Sequence, residues 1–73
     1  MKVLTFDTGT TVINALTQAC NTAARERKTV LAEINDIMIP VDKNARPFIL
    51  MKEYTNKLNL KYEIEQIKAQ IQK

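Results

Sequence analysis

Thr29 to Asp42 reads TVLAEINDIMIPVD, and the fold turns on what happens at its centre, Asn35-Asp36. Asn and Asp tolerate positive φ, so this pair suits a two-residue hairpin turn. Such a turn sets Ile34 opposite Ile37, Ala32 opposite Ile39 and Val30 opposite Val41, which places all six side chains on one face. The other face carries Thr29, Leu31, Glu33, Met38, Pro40 and Asp42, a mixed set that tolerates water. A slip of one residue would carry the aliphatic set into solvent, so the register is strongly specified. Pro40 has no N–H to give to a central ladder, and its nitrogen is expected to face an edge or a bulge.

On the N-terminal side, Lys2 to Phe6 contains Val, Thr and Phe in alternation and reads as a short strand, ended by Asp7-Thr8-Gly9. Thr8 or Thr10 is expected to cap the next helix, by offering a hydroxyl oxygen to an unpaired N–H of its first turn. Val12, Leu16, Ala19 or Cys20, and Ala23 recur at helical spacing, with Asn14, Gln18, Asn21 and Arg25 on the far side. The spacing predicts an amphipathic helix over about 10–27. Its apolar stripe is rich in small residues, Ala15, Ala19, Cys20, Ala23 and Ala24, which lets its backbone lie close to a sheet.

On the C-terminal side, residues 42–47 (DKNARP) read as a loop, and Pro47 suits the first turn of a helix. From Phe48 onward the chain has no Gly or Pro, and its apolar positions form two sets. Met51, Tyr54, Leu58 and Tyr62 line one side, whereas Leu60, Ile64, Ile67 and Ile71 line another. Two readings fit: a helix kinked or interrupted near Thr55-Asn56 or Asn59, or a long helix whose first half packs on its own domain and whose second half packs on something else. A third strand at Phe48 to Met51 also stays open, because short apolar runs are ambiguous. The order β-α-β-β-α gives an α+β single domain over 1–73. It divides into a β-α-β-β unit at 1–47, with a three-stranded sheet built on the antiparallel hairpin and a helix packed across the Ile34 and Ile37 face, and a long C-terminal helical segment at 48–73.

A chain of 73 residues builds only a thin core, and small scaffolds usually add disulfides, a metal or a partner. Cys20 is the single cysteine and there is no histidine, so neither a disulfide framework nor a Cys/His zinc site can be made within one chain. Association remains, and a homodimer or another bound protein is expected. A hydrophobic fraction of 45% with 26% charged residues fits a folded domain rather than disorder. The first acid comes at Asp7, against a signal peptide, and no run of about 18 apolar residues is present to cross a membrane. The expectation is a cytoplasmic protein with no membrane partner. The net charge of +3 permits nucleic-acid contact without requiring it.

Asp7-Thr8-Gly9-Thr10-Thr11 resembles two enzyme signatures. An apolar strand running into Asp-Thr-Gly is similar to the catalytic loop of the aspartic proteases, and Asp-x-Gly-Thr-Thr to the first phosphate loop of the actin and sugar-kinase superfamily. The protease resemblance implies two such loops sharing a proton, available in a homodimer, within a mostly β fold that has further glycines. Gly9 is the only glycine here, and the residues after it read as helix. The kinase resemblance implies a second phosphate loop and an adenosine site, for which the chain has no room. Turn chemistry leading into a helix cap accounts for the residues, leaving a candidate anion site at the backbone N–H groups of Gly9, Thr10 and Thr11, with Asp7 opposing it.

Two other groups of residues are candidates for binding. Arg25, Arg27 and Lys28 suit a helix C-terminus and, with Lys43 and Arg46, form a candidate patch for nucleic acid or an acidic partner. Leu60, Ile64, Ile67 and Ile71 are spaced by four, three and four, the seam of a coiled coil, and are the candidate partner or self-association site. Cys20 on an apolar stripe acts as a small hydrophobe, and with no histidine and no useful acid pair the chain has no catalytic residues to name. No cofactor or metal is implied. The expected role is a small non-enzymatic protein acting through protein contacts of its C-terminal helix. On base rate alone, accessory or inhibitor proteins of bacteriophages and mobile elements are the expected type. The alternatives are a nucleic-acid-associated regulator using the basic residues, and a nucleotide or anion binder at residues 7–11.

Overall fold

The computed structural model describes residues 2–71. Strand β1 (Val3–Leu4) is followed by helix α1 (Val12–Glu26), strands β2 (Val30–Ile34) and β3 (Ile37–Val41), and helix α2 (Pro47–Ile71). The fold is thus α+β in the expected order. Asn35 and Asp36 have φ of 51° and 66°, the positive pair that a type I′ turn requires. The hairpin register is the one the alternation demands, with Val30, Ala32 and Ile34 opposite Val41, Ile39 and Ile37. All six side chains are buried.

The sheet has three strands and is mixed, the expected antiparallel hairpin being joined by a parallel neighbour. Strand β1 lies parallel to β2, Val3 beside Leu31 and Leu4 beside Ala32, which puts β2 in the centre. The strand is two residues long instead of running from Lys2 to Phe6; Lys2 still contributes its carbonyl to the Leu31 N–H at 2.8 Å. A short edge strand leaves little unpaired backbone for another chain to add to. The opposite edge is guarded differently. Outward from the turn, hydrogen-bonded and non-bonded pairs alternate, so Pro40, opposite Leu31, points its nitrogen off the sheet where no donor is needed. The Lys57 ammonium donates to the Met38 carbonyl on this edge at 2.9 Å.

Both helices pack on the Ile34 and Ile37 face. Helix α1 presents Ala15, Leu16, Ala19, Cys20 and Ala23, all buried, so that small side chains bring its backbone close to the strands and to α2. Leu16, Ile39, Val30 and Val41 are the largest fully buried side chains. Each is worth about 1.5–3 kcal/mol in apolar area removed from water. Ala24, expected in the stripe, is exposed. The cap is Thr11, whose Oγ1 accepts from the Asn14 N–H at 3.3 Å, in place of Thr8 or Thr10, because the Thr10 N–H closes a turn onto the Asp7 carbonyl and starts the helix later. At the other end Arg27 takes the left-handed conformation, with its own N–H and that of Lys28 both donating to the Ala23 carbonyl.

Helix α2 is uninterrupted over 25 residues, with no break at 55–59 and no strand at Phe48 to Met51, whose backbone belongs to its first turns. Pro47 is its first residue. Leu50 and Tyr54 are buried, Met51 and Leu58 half-buried, and Tyr62, expected on this side, is exposed. Tyr54 also receives a hydrogen bond from the Asn35 amide at 3.0 Å, which ties the hairpin turn to the helix. Met1 and the expected helical continuation through Gln72 and Lys73 lie outside the described residues.

Candidate functional site

The second half of α2 leaves the body of the molecule. Five-residue strands span about 17 Å and a 25-residue helix about 37 Å, so a helix that starts level with the sheet must overrun it. The principal extents of 49 × 23 × 22 Å and a radius of gyration of 14.0 Å, against about 11 Å for a compact chain of this length, reflect that overrun. Leu60, Ile64, Ile67 and Ile71 sit on this arm, 56%, 44%, 54% and 77% exposed. At about 100° per residue their stripe lies about 120° around the helix from Leu50, Tyr54 and Leu58, so it would not meet the sheet even if the sheet were longer. Leu60 and Ile64 line a shallow apolar depression edged by Lys57, Lys61, Glu65 and Lys68.

Contiguous exposed aliphatic side chains on a helix are unusual for a surface with no partner. Elsewhere on α2, Phe48 and Ile49 are also exposed, at 80% and 64%. Their apolar character alone suggests a strand. Helical geometry instead places Ile49 on the same side as the Leu60 stripe and Phe48 beyond it. The signal that could have found them is their poor fit to the spacing set by Leu50, Tyr54 and Leu58.

The basic residues are gathered by the topology. Because Val30 pairs with Val41, the loop after α1 and the loop after β3 meet at one end of the sheet. This end carries Arg25, Arg27, Lys28, Lys43 and Arg46, together with Lys2, which lies outside the set picked out by charge clustering in the sequence. Glu26 partly neutralises it, bonded to the ammonium groups of Lys2 at 3.1 Å and Lys28 at 3.4 Å. The Lys2 hydrogen bond, helped by Lys28, holds the Glu26 carboxyl below its ordinary pKa.

The Asp7 turn lies at the opposite end, against the hairpin. Phe6, Asp7, Thr8, Gly9 and Thr10 face Glu33, Ile34 and Asn35 across a cleft of about 190 Å³. Gly9 has a φ of 98°, suited to the third position of the turn that the Thr10 N–H closes onto the Asp7 carbonyl at 3.0 Å. One of the N–H groups of the candidate anion site is therefore engaged, and the residues around the cleft include the acidic Asp7 and Glu33, whose charge disfavours an anion there. Cys20 is buried on α1; burial, with Asp42 adding to it, raises its pKa and keeps the thiol protonated. Among the described residues no group of His, Cys, Asp or Glu is placed to hold a metal ion, and no helix is long and apolar enough to cross a membrane.

No protein-family model, curated protein or solved structure matches the chain.

Proposed function

We propose that this chain is a small non-catalytic binding protein whose working element is the projecting half of α2, docking on another protein surface. The observation that carries the reading is the row Leu60, Ile64, Ile67 and Ile71, aliphatic at coiled-coil spacing and exposed beyond the end of the sheet. A helix offering such anchors buries them in a groove or against a second helix. The test is affinity capture after nuclease treatment, comparing the intact sequence with Ile64→Asp plus Ile67→Asp. Loss of a protein, including the chain itself, on introducing the two aspartates is the expected result. An unchanged set of captured proteins would refute the role of the stripe.

A second reading has its own observation: the sheet register collects Arg25, Arg27, Lys28, Lys43 and Arg46 at one end. It supports contact with a nucleic-acid backbone, which would be lost steeply as salt rises. Replacing Arg25, Arg27 and Lys28 with Gln should then reduce the salt slope of duplex binding; a protein that shows no salt-sensitive binding to begin with would remove this reading.

A further inference from the structure

The charges flanking the exposed stripe specify what covers it. With Leu60 and Ile67 at d and Ile64 and Ile71 at a, Lys61 and Lys68 fall at e and Glu63 and Gln70 at g. In a parallel pair of helices the g position of one chain meets the e position of the next heptad of the other, five residues on. Glu63 and Lys68 are separated by that step. Neither is in an ion pair within the chain among the described residues. Glu63 has no basic residue three or four positions away on its own helix: those places are held by Asn59, Leu60, Gln66 and Ile67. An antiparallel pair would instead bring e against e, setting Lys61 and Lys68 of one chain near those of the other.

We propose that the stripe is covered by a second copy of the chain, aligned in parallel along residues 60–71, with Glu63 of each copy paired to Lys68 of the other. This rests on the reading of the arm as a binding element and names its occupant. The two-fold axis of such a pair runs along the arms, so both ion pairs form at once. The seam stops at Lys57, whose ammonium is held by the Met38 carbonyl and by Glu53 at 3.5 Å. Three turns of helix make a short interface, and the dimer forms with a dissociation constant between about 1 µM and 1 mM.

Sedimentation equilibrium over that range, on the full chain, tests the stoichiometry; a monomer throughout, or a trimer, overturns the proposal. Lys68→Glu tests the orientation. It should weaken the parallel dimer at least about fivefold, since two rim pairs reverse sign, and adding Glu63→Lys should restore it. An antiparallel dimer would be strengthened by Lys68→Glu alone, because Lys61 would then gain a partner, and that result overturns the proposal. Ile71→Cys with Cys20→Ala gives an independent reading: like positions face each other in a parallel seam, so oxidation should link the two copies. A chain that captures a foreign protein through Ile64 and Ile67 yet sediments as a monomer would sink this inference and leave the proposed function standing.

Discussion

Helix α2 carries two apolar stripes with opposite fates. Leu50, Met51, Tyr54 and Leu58 face the sheet and α1 and are buried or half-buried. Leu60, Ile64, Ile67 and Ile71 are at least as aliphatic and remain in solvent. Composition does not separate them. The sheet ends while the helix goes on, and the second stripe is turned away from the first. A row of aliphatic residues on a helix therefore does not by itself mark the core, and only the positions of the other elements say whether the same molecule covers it.

The sharpest way to break the comparison is to remove the same kind of side chain from each region. Leu16→Ala or Ile39→Ala, in the fully buried set, should cost about 2–5 kcal/mol in urea unfolding. Ile67→Ala, measured on the monomeric chain, should change its stability by no more than about 0.5 kcal/mol. A large loss from Ile67→Ala at dilutions where only monomer is present would mean that the arm packs on its own body. Tyr54→Phe asks whether the first half of α2 is bound to the hairpin by more than area; it leaves the Asn35 amide without its acceptor and should cost about 1 kcal/mol. Amide exchange at the Asn35 turn should speed up while that of the arm does not.

At the end of the body away from the arm the expected effects are smaller. Arg27 holds a left-handed backbone with φ of 53°, so Arg27→Gly should raise the stability by about 0.5 kcal/mol, provided that removing a charge from the basic end costs nothing. The Glu26 carboxyl, held below its ordinary pKa first by the Lys2 hydrogen bond and then by Lys28, should give the smallest signal. A depressed folded-state pKa stabilises above the unfolded-state value and loses that contribution as pH falls through the folded value. Melting temperature should thus decline through the acid range for the native sequence, and Glu26→Gln should remove part of that decline without altering the proposed association through the arm. A variant indistinguishable from the native sequence at every pH would show that these exposed pairs contribute nothing.

Elements whose pattern is local were legible in the sequence. The hairpin register came from Asn35-Asp36 and a period of two, since any other register would wet six aliphatic side chains. Helix α1 came from its 3.6-residue stripe, and the position of Pro40 from its missing donor. Boundaries were less legible: Thr11 caps α1 because the turn before it consumes the Thr10 N–H, a competition between neighbouring hydrogen bonds that cap preference alone does not rank. The residues of the candidate site were visible as well, as two stripes too far apart around one helix to share a single surface.

By itself, then, the sequence determined the order of elements, the face that the two hairpin strands bury and the presence of a second apolar stripe. Tertiary structure decided the rest: that β1 joins the sheet in parallel, that Lys2 and the two basic loops share one end, that Tyr54 meets Asn35, and that the Leu60 stripe is the one left uncovered. These are relations between segments distant in the chain. A side chain's periodicity records that it seeks a partner surface, while the length and placement of the other elements determine whether the same chain supplies one.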